Sequence, residues 1–324
     1  MGDSTVVAEV IRGRFIECRH YGLVVITAPD GSIEWSVGSV KDPMFPRSAN
    51  KPLQLLGLLR SGLRLDSELL ALAAGSHSGE PIHVEGVRRM LASVGLDECA
   101  LQTPRVYPFD GKARNAWVRA GGKRARVTMN CSGKHAAMLM TCTLNGWPVK
   151  TYRAAEHPVQ QAVFSAIEDS AGEPVAGIAV DGCGVPVHAI SLVGLACAFG
   201  KFARLAAIRP QSLEGQIALA CHAHPEYASG TRRPTVQLVR SVPGLLLKSG
   251  AEGVLAAGLP DGRGIAIKIE DGAARARSVV LATLLRRIGI DNDVVRAQQE
   301  RVILGGGAPA GVVRAAPSLA ESLA

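Results

Sequence analysis

The chain has 324 residues, of which 47% are hydrophobic and 20% charged, with a formal net charge of +8. That length buries a large core, and the composition is too apolar and too weakly charged for a disordered chain. The basic residues are dispersed and aromatics make up only 4%, so the positive charge suits anionic metabolites and carries no nucleic-acid footprint.

In chain order, residues 6–11 are β-branched, and residues 23–26 lead through Pro29-Asp30-Gly31 into residues 32–37, which reads as a hairpin. Pro43 and Pro46 precede a leucine-rich run, so a helix is expected to begin near Ser48. Helical patterning continues over residues 67–74, 82–93, 135–143, 158–169, 189–206 and 212–221, with Pro81 in a first turn and Gly146 beyond an end. Strand patterns return at 244–248, 253–257 and 264–269, punctuated by Gly250, Gly262 and Asp271-Gly272. Residues 274–288 read as an apolar helix, Val312-Val313 as a last short strand, and the chain from Ala315 onward as a frayed end.

Strands at both ends with helices between them predict an α+β fold whose sheet is formed from both chain ends. No repeat or linker divides the chain. Residues 1–324 are therefore expected to form one domain with two lobes, strands mainly in 1–45 and 243–314 and helices mainly in 46–242. The opening MGDSTVVAEVIRGRF lacks the pattern of an export signal, and no run approaches the ~18 apolar residues of a spanning helix. The seven cysteines, at 18, 99, 131, 142, 183, 197 and 221, are odd in number and scattered, which points to thiols or metal ligands rather than a disulfide framework. The expectation is a cytoplasmic protein with neither membrane nor nucleic acid as partner.

Three short segments carry the chemistry. Ser48-Ala49-Asn50-Lys51 is an S-x-x-K whose two side chains share a helix face, because three residues make nearly one turn. A serine hydroxyl becomes a nucleophile once a base takes its proton, and a lysine serves as that base when burial or a second cation lowers its pKa. Alone the pattern is weak, since a serine at a helix start is usually a cap and a first-turn lysine is usually solvated. Ser76-His77-Ser78-Gly79-Glu80 follows an apolar helix as a turn, and Lys248-Ser249-Gly250 closes the strand-like residues 244–247. Serine hydrolases of the penicillin-recognising class combine S-x-x-K, a serine-bearing turn and K-[ST]-G in that order. In such an arrangement Ser48 is the nucleophile, Lys51 its base, Ser76 a relay hydroxyl and Lys248 a second amine that forces one lysine towards neutrality.

Two more segments stand out. Asn130-Cys131-Ser132-Gly133-Lys134-His135 enters a helix, and Asp181-Gly182-Cys183-Gly184 follows an apolar strand-like run. Glycines on both sides of Cys183 suit a close approach. Two thiolates and a third ligand would make an open zinc site, yet neither C-x-x-C nor H-x-x-x-H is present, so spacing alone favours a pair of buried cysteines.

Taken together, these blocks resemble a family. Arg47 to Pro52, Ser76 to Glu80, Asn130 to His135, Asp181-Gly182-Cys183, His224-Pro225-Glu226, Lys248 to Gly253 and Lys268 to Gly272 are similar to the class 3, rhizobial-type L-asparaginases of the asparaginase II family, from about Arg12 to Asp271. The resemblance implies a fold like serine β-lactamases and the related glutaminases, an antiparallel sheet flanked by helices, usually in a homodimer. It implies hydrolysis of L-asparagine, with Ser48–Lys51 and Ser76–Lys248 as Ser-Lys pairs. It also implies zinc on Cys131, Lys134 and Cys183, with His135 and Asp181 binding substrate or supporting the site. A glutaminase or broader amidase on the same scaffold, or a non-catalytic amino-acid-binding protein, are the alternatives. Gly184, where the family commonly has a polar residue, and the basic Gly230-Thr231-Arg232-Arg233 are departures.

Overall fold

The computed structural model describes residues 3–321. Its N-terminal part runs β1 (Thr5–Arg12), β2 (Phe15–Thr27), β3 (Ile33–Val37) and β4 (Pro43–Met44). Helices α1 (Lys51–Arg60), α2 (Ser67–Ala73), α3 (Pro81–Ala92), α4 (Gly111–Arg119), α5 (Ser132–Leu144) and α6 (Pro158–Ala171) follow. Then come β5 (Gly177–Val180), β6 (Pro186–Ser191), α7 (Leu192–Ile208), α8 (Leu213–Ala223), α9 (Pro225–Ala228) and α10 (Pro234–Ser241). The chain closes with β7 (Leu246–Ser249), β8 (Val254–Gly258), β9 (Gly264–Ile269), α11 (Arg275–Arg287), α12 (Asp293–Ala297), β10 (Glu300–Gly305), β11 (Ala308–Ala315) and α13 (Pro317–Glu321).

The fold is α+β. One antiparallel sheet, in the order β10-β11-β1-β2-β9-β8-β7, is built from both ends of the chain. The 13-residue β2 is long enough to pair with β1 along its first part and β3 along its last, while β9 holds its other edge. Because side chains alternate across a strand, Val24, Ile26, Ile265 and Ile267 pack in a core that includes residues of α11, while Leu23, Val25 and Ala266 join the core of the helical lobe. With both faces buried, these strands read as near-continuous apolar runs rather than alternating ones. At the centre of the helical lobe, α1 is buried from Lys51 through Leu59, as a helix apolar on all sides must be.

Close approaches set the spacing. Helix α7 lies so near β8 that a β-carbon at Gly258 would run into the carbonyl of Phe199, and a β-carbon at Gly133 would stand 2.6 Å from the Leu72 carbonyl at the end of α2. These glycines bring α7 onto the sheet and α5 against α2.

Several expectations need correction. Residues 189–191 belong to β6, not to a helix: the apolar run from 186 to 206 changes structure at Ser191, whose hydroxyl accepts the Gly194 amide at 2.9 Å as the cap of α7. Periodicity cannot place a boundary where the residues on both sides of it are buried. The last strand is longer than Val312-Val313, and β10 pairs with it through a Gly306-Gly307 turn in which both φ angles are positive (58° and 86°). The chain from Ala315 does not fray as far as it is described. Ala316 N–H donates to Val7 O at 3.0 Å and Leu319 is buried, while residues 322–324 lie outside the described residues. Helices α4 and α10 were not foreseen; both are short, and α10 is opened by Pro234. Among the described residues no helix is long and apolar enough to cross a membrane.

Gly258→Ala is expected to cost about 1–3 kcal/mol by overpacking α7 against β8. Gly177→Ala, where a β-carbon meets nothing within 4 Å, should stay within about 0.5 kcal/mol of the parent. Denaturant midpoints compare the two, and equal losses would contradict the role given to Gly258.

Candidate functional site

The chain enters α1 through a tight turn at 47–50, in which Arg47 has φ 52°. Only Arg47 and Glu252 have a positive φ among the described non-glycine residues, a conformation that costs on the order of 1–3 kcal/mol. They lie beside each other, with Arg47 Nη1 3.7 Å from Glu252 Oε1. Gly250 makes the closeness possible, since a β-carbon there would stand 2.6 Å from Pro46 O and 3.1 Å from Ala49 N. The turn after β7 is thereby pressed onto the turn that carries Ser48.

Lys51 and Lys248 arrive from opposite sides. Lys51 is the first residue of the buried α1. Lys248 is on β7 in phase with Leu246, whose side chain joins the helical-lobe core, so strand parity aims the lysine at that lobe. Between them is Ser76, whose amide donates to Ala228 O at 2.8 Å. Lys51 Nζ lies 2.5 Å from Gly75 O and 3.0 Å from Ser76 Oγ; Lys248 Nζ lies 2.6 Å from Ser249 O and 2.9 Å from the same Ser76 Oγ. Both lysines are at most 5% exposed. Burial, reinforced by the charge of Lys51, pushes the Lys248 amine well below its usual range.

Ser76 meets Lys248, the pair that the resemblance implies, and it meets Lys51 as well. Lys51 reaches Ser76, and among the described residues no hydrogen bond joins Lys51 to Ser48. Ser48, Ser76 and Lys248 line one cavity of about 760 Å³, together with Asn130, Ser249 and Arg277.

The turn bearing Ser76 is held from behind. His77 Nδ1 accepts the Gly79 amide at 3.1 Å, so its Nε2–H donates to Ser132 Oγ at 2.8 Å, and Ser132 Oγ donates to Val127 O at 2.7 Å. Burial drives the His77 pKa well below its usual value, keeping the ring a neutral strut rather than a loop side chain. Glu80 accepts from Thr231 N and Oγ1 at 3.0 and 2.6 Å, and Arg232 forms an ion pair with Asp110. The basic 230–233 segment thus straps the same turn.

Cys131, Lys134 and Cys183 also converge. Cys131 precedes α5, Lys134 is in its first turn, and Lys134 Nζ lies 3.4 Å from Cys183 Sγ. Cys131 Sγ donates to Asn130 Oδ1 at 3.3 Å. The neighbouring Cys131 brings Cys183 down to about 5, with Lys134 assisting, while Cys131 itself is pushed up to about 12 by Cys183 and by burial. Burial works against the Lys134 charge, but Cys183, Cys131 and Asp181 outweigh it and raise its pKa. Two sulfur donors and a nitrogen on buried, rigid elements fit a soft divalent cation, provided the lysine gives up its proton.

Asp181 accepts from Arg47 Nε at 2.7 Å and has Oδ2 3.5 Å from Cys183 Sγ. The Arg47–Asp181 pair therefore joins the serine turn to the thiol cluster. His135 is fully buried, with Nδ1 2.6 Å from the Tyr152 hydroxyl and Nε2 without a hydrogen-bond partner; burial, with Lys134 beside it, lowers its pKa to about 3. Neither His135 nor Asp181 lines the 760 Å³ cavity. Gly184, with φ 90°, leaves room for the Arg153 guanidinium, which accounts for the missing side chain there. Tyr152 and Arg277 were not singled out from the sequence; Arg47 and Asn130 stood in the blocks Arg47 to Pro52 and Asn130 to His135 but were given no role of their own.

Compared with known families, residues 8–315 match L-asparaginase II. The chain belongs to the L-asparaginase II family. No curated protein sequence matches it. Among solved structures it is similar to a β-lactamase from Mycobacterium bovis (14% identity, 82% of this chain and 94% of that one, TM-score 0.43). It is also similar to Mglu in its glutamate form (14%, 84% and 62%, TM-score 0.46). A third is EstCE1, a hydrolase with promiscuous acyltransferase activity (11%, 77% and 88%, TM-score 0.40).

A depressed lysine in this asparaginase-family site has a stability signature. The folded pKa of Lys248 lies below its unfolded value of about 10.4, so the folded state pays the full protonation penalty below the folded pKa and loses it as pH rises towards about 10.4. Lys248→Met should therefore gain in Tm over the parent as pH falls through that window. A Tm difference independent of pH would contradict the depressed amine.

Proposed function

We propose that the protein hydrolyses L-asparagine to L-aspartate and ammonia, with Ser48 carrying the acyl group and Ser76 relaying its proton to Lys248. The observation that carries this reading is the position of Ser76 Oγ, 3.0 Å from Lys51 Nζ and 2.9 Å from Lys248 Nζ. A hydroxyl has one hydrogen and two lone pairs. Ser76 can donate its hydrogen to a neutral Lys248, accept from Lys51, and still accept the Ser48 hydrogen. As Ser48 Oγ attacks the side-chain amide carbon, its proton passes to Ser76 Oγ and the Ser76 proton passes to Lys248. The tetrahedral centre then breaks its C–N bond, and Lys248 returns the proton through Ser76 to the departing nitrogen, releasing ammonia. Water adds to the aspartyl ester by the same relay and frees Ser48.

A second reading, direct attack by Ser76, is favoured by its contact with both amines. Ser48→Ala and Ser76→Ala should each lower kcat by at least about 10³-fold. The expected acyl adduct, mapped by peptide mass after rapid quenching, is on Ser48 and persists at reduced level in Ser76→Ala. An adduct confined to Ser76 would move the nucleophile there, and near-normal turnover by Ser48→Ala would end the proposal.

The 760 Å³ cavity does not exclude glutamine, and one methylene is worth only about 1–3 kcal/mol of discrimination. Family membership favours asparagine; higher ammonia release from glutamine would make the enzyme a glutaminase or broader amidase. Binding of asparagine without release would favour an amino-acid-binding protein.

Zinc is part of the proposal, held by Cys131, Lys134 and Cys183. When bound it supplies a Lewis-acidic charge that orients the substrate, since the nucleophile is already a serine. Asp181, through its contact with Cys183, and the buried His135, beside Lys134, support that cluster from outside the cavity. Elemental analysis should find zinc in the parent and little in Cys183→Ser, with KM raised more than kcat is lowered. Equal zinc in both would remove Cys183 as a ligand. The reading includes a single domain of two lobes in the cytoplasm, acting as the homodimer that the family resemblance implies.

A further inference from the structure

Arg277, in α11, stands in the wall of the cavity that holds Ser48, Ser76 and Lys248. Its Nη1 donates to Gly250 O at 2.5 Å and Val254 O at 3.0 Å. These bonds pin the guanidinium to the turn after β7, the same turn whose Gly250 abuts the Ser48 segment. Among the described residues, Nε and Nη2 make no hydrogen bond and no carboxylate forms an ion pair with Arg277.

The neighbouring arginines are committed elsewhere. Arg47 is paired with Asp181 and Glu252, and Arg232 with Asp110. Arg233 also lines the cavity, but its guanidinium lies 4.4 Å from the Phe109 ring centroid and in the field of Asp110 and Glu80. Arg277 has no such relief: burial, with Arg233 adding to it, lowers its pKa to about 10. A half-buried cation with no counter-ion is costly to keep, and a ligand carboxylate removes that cost. A guanidinium fixed by one nitrogen and open at the other two presents the fork that a carboxylate oxygen pair fits.

We infer that Arg277, backed by Arg233, forms the carboxylate subsite of the catalytic cavity and restricts it to amides that carry a free carboxylate close to the scissile group. The inference rests on the amide-hydrolysing reading and names the feature that selects its substrates. An amino-acid amide satisfies the subsite. An amide of the same length without the carboxylate leaves the half-buried Arg277 unpaired, which is why the site rejects it.

The test compares L-asparagine with 3-aminopropanamide, which is asparagine without its carboxylate, in ammonia-release assays. Wild type should favour asparagine by about 10²-fold or more in kcat/KM, because an unpaired buried polar group gives strong discrimination. Arg277→Met should bring that ratio close to one, mainly through KM for asparagine, and Arg277→Lys should recover part of it. L-Aspartate affinity by calorimetry, which needs no turnover, should weaken by a similar factor in Arg277→Met. Arg233→Gln leaves the Gly250 and Val254 carbonyls paired, and it should lower the ratio even if Arg277→Met fails to fold. Equal loss on both amides, or an unchanged aspartate affinity, would reduce Arg277 to a support for its turn and overturn the subsite. A wild type that hydrolyses both amides equally well would overturn the subsite and keep the hydrolase. A wild type that releases no ammonia yet binds aspartate through Arg277 would keep the subsite and sink the hydrolase.

Discussion

Two buried lysine amines share one serine hydroxyl, and the rest of the molecule is arranged around that contact. Two ammonium groups on one oxygen atom repel strongly wherever water is excluded, because the effective dielectric is low. The hydrogen bonds of Lys51 and Lys248 run to carbonyl and hydroxyl oxygens of Gly75, Ser76 and Ser249, so no carboxylate among these partners neutralises the pair. The cheapest release is for one amine to give up its proton, and Lys248, buried and facing Lys51, is the one displaced. A lysine amine lowered in this way is a better proton acceptor for a serine hydroxyl than an ordinary lysine.

Holding that contact requires elements from distant parts of the chain. Lys51 comes from the centre of the helical lobe, Ser76 from the turn after α2, and Lys248 from the edge strand β7. Gly250 lets the strand end touch the Ser48 turn, and the His77–Ser132–Val127 chain fixes the Ser76 turn on the start of α5. Arg47 keeps an unfavourable backbone angle while its side chain reaches Asp181, two residues before Cys183. Strain at that residue is therefore tied to the only ion pair described between the serine turn and the thiol cluster, and moving either cluster would disturb the other.

Much of this was legible in the sequence, for physical reasons that differ by element. The S-x-x-K, the serine turn and the K-S-G were readable because each needs particular residues at particular local spacings. The Pro29-Asp30-Gly31 turn was readable because Gly31, at φ 88°, is needed where the chain reverses. The switch from β6 to α7 was not, since the chain is buried on both sides of the junction and only the Ser191 cap marks the boundary. Nor was the sharing of Ser76 by both lysines, because Lys51 and Lys248 are brought together by tertiary packing alone. Spacing also could not show that Cys131 and Cys183, which are 52 positions apart, meet beside Lys134 through the packing of α5 against the β5–β6 turn. Arg277 gave no local signal at all, being one of four arginines on α11, which read most simply as its solvated edge.

The most direct test of the shared hydroxyl is the titration of Lys248 itself, followed by NMR of protein carrying ¹³Cε-labelled lysine and assigned with Lys248→Met. The account predicts a Lys248 resonance that titrates well below the ordinary lysine range and moves back upward in Lys51→Met. A Lys248 amine that titrates at the ordinary value, with or without Lys51, would contradict it.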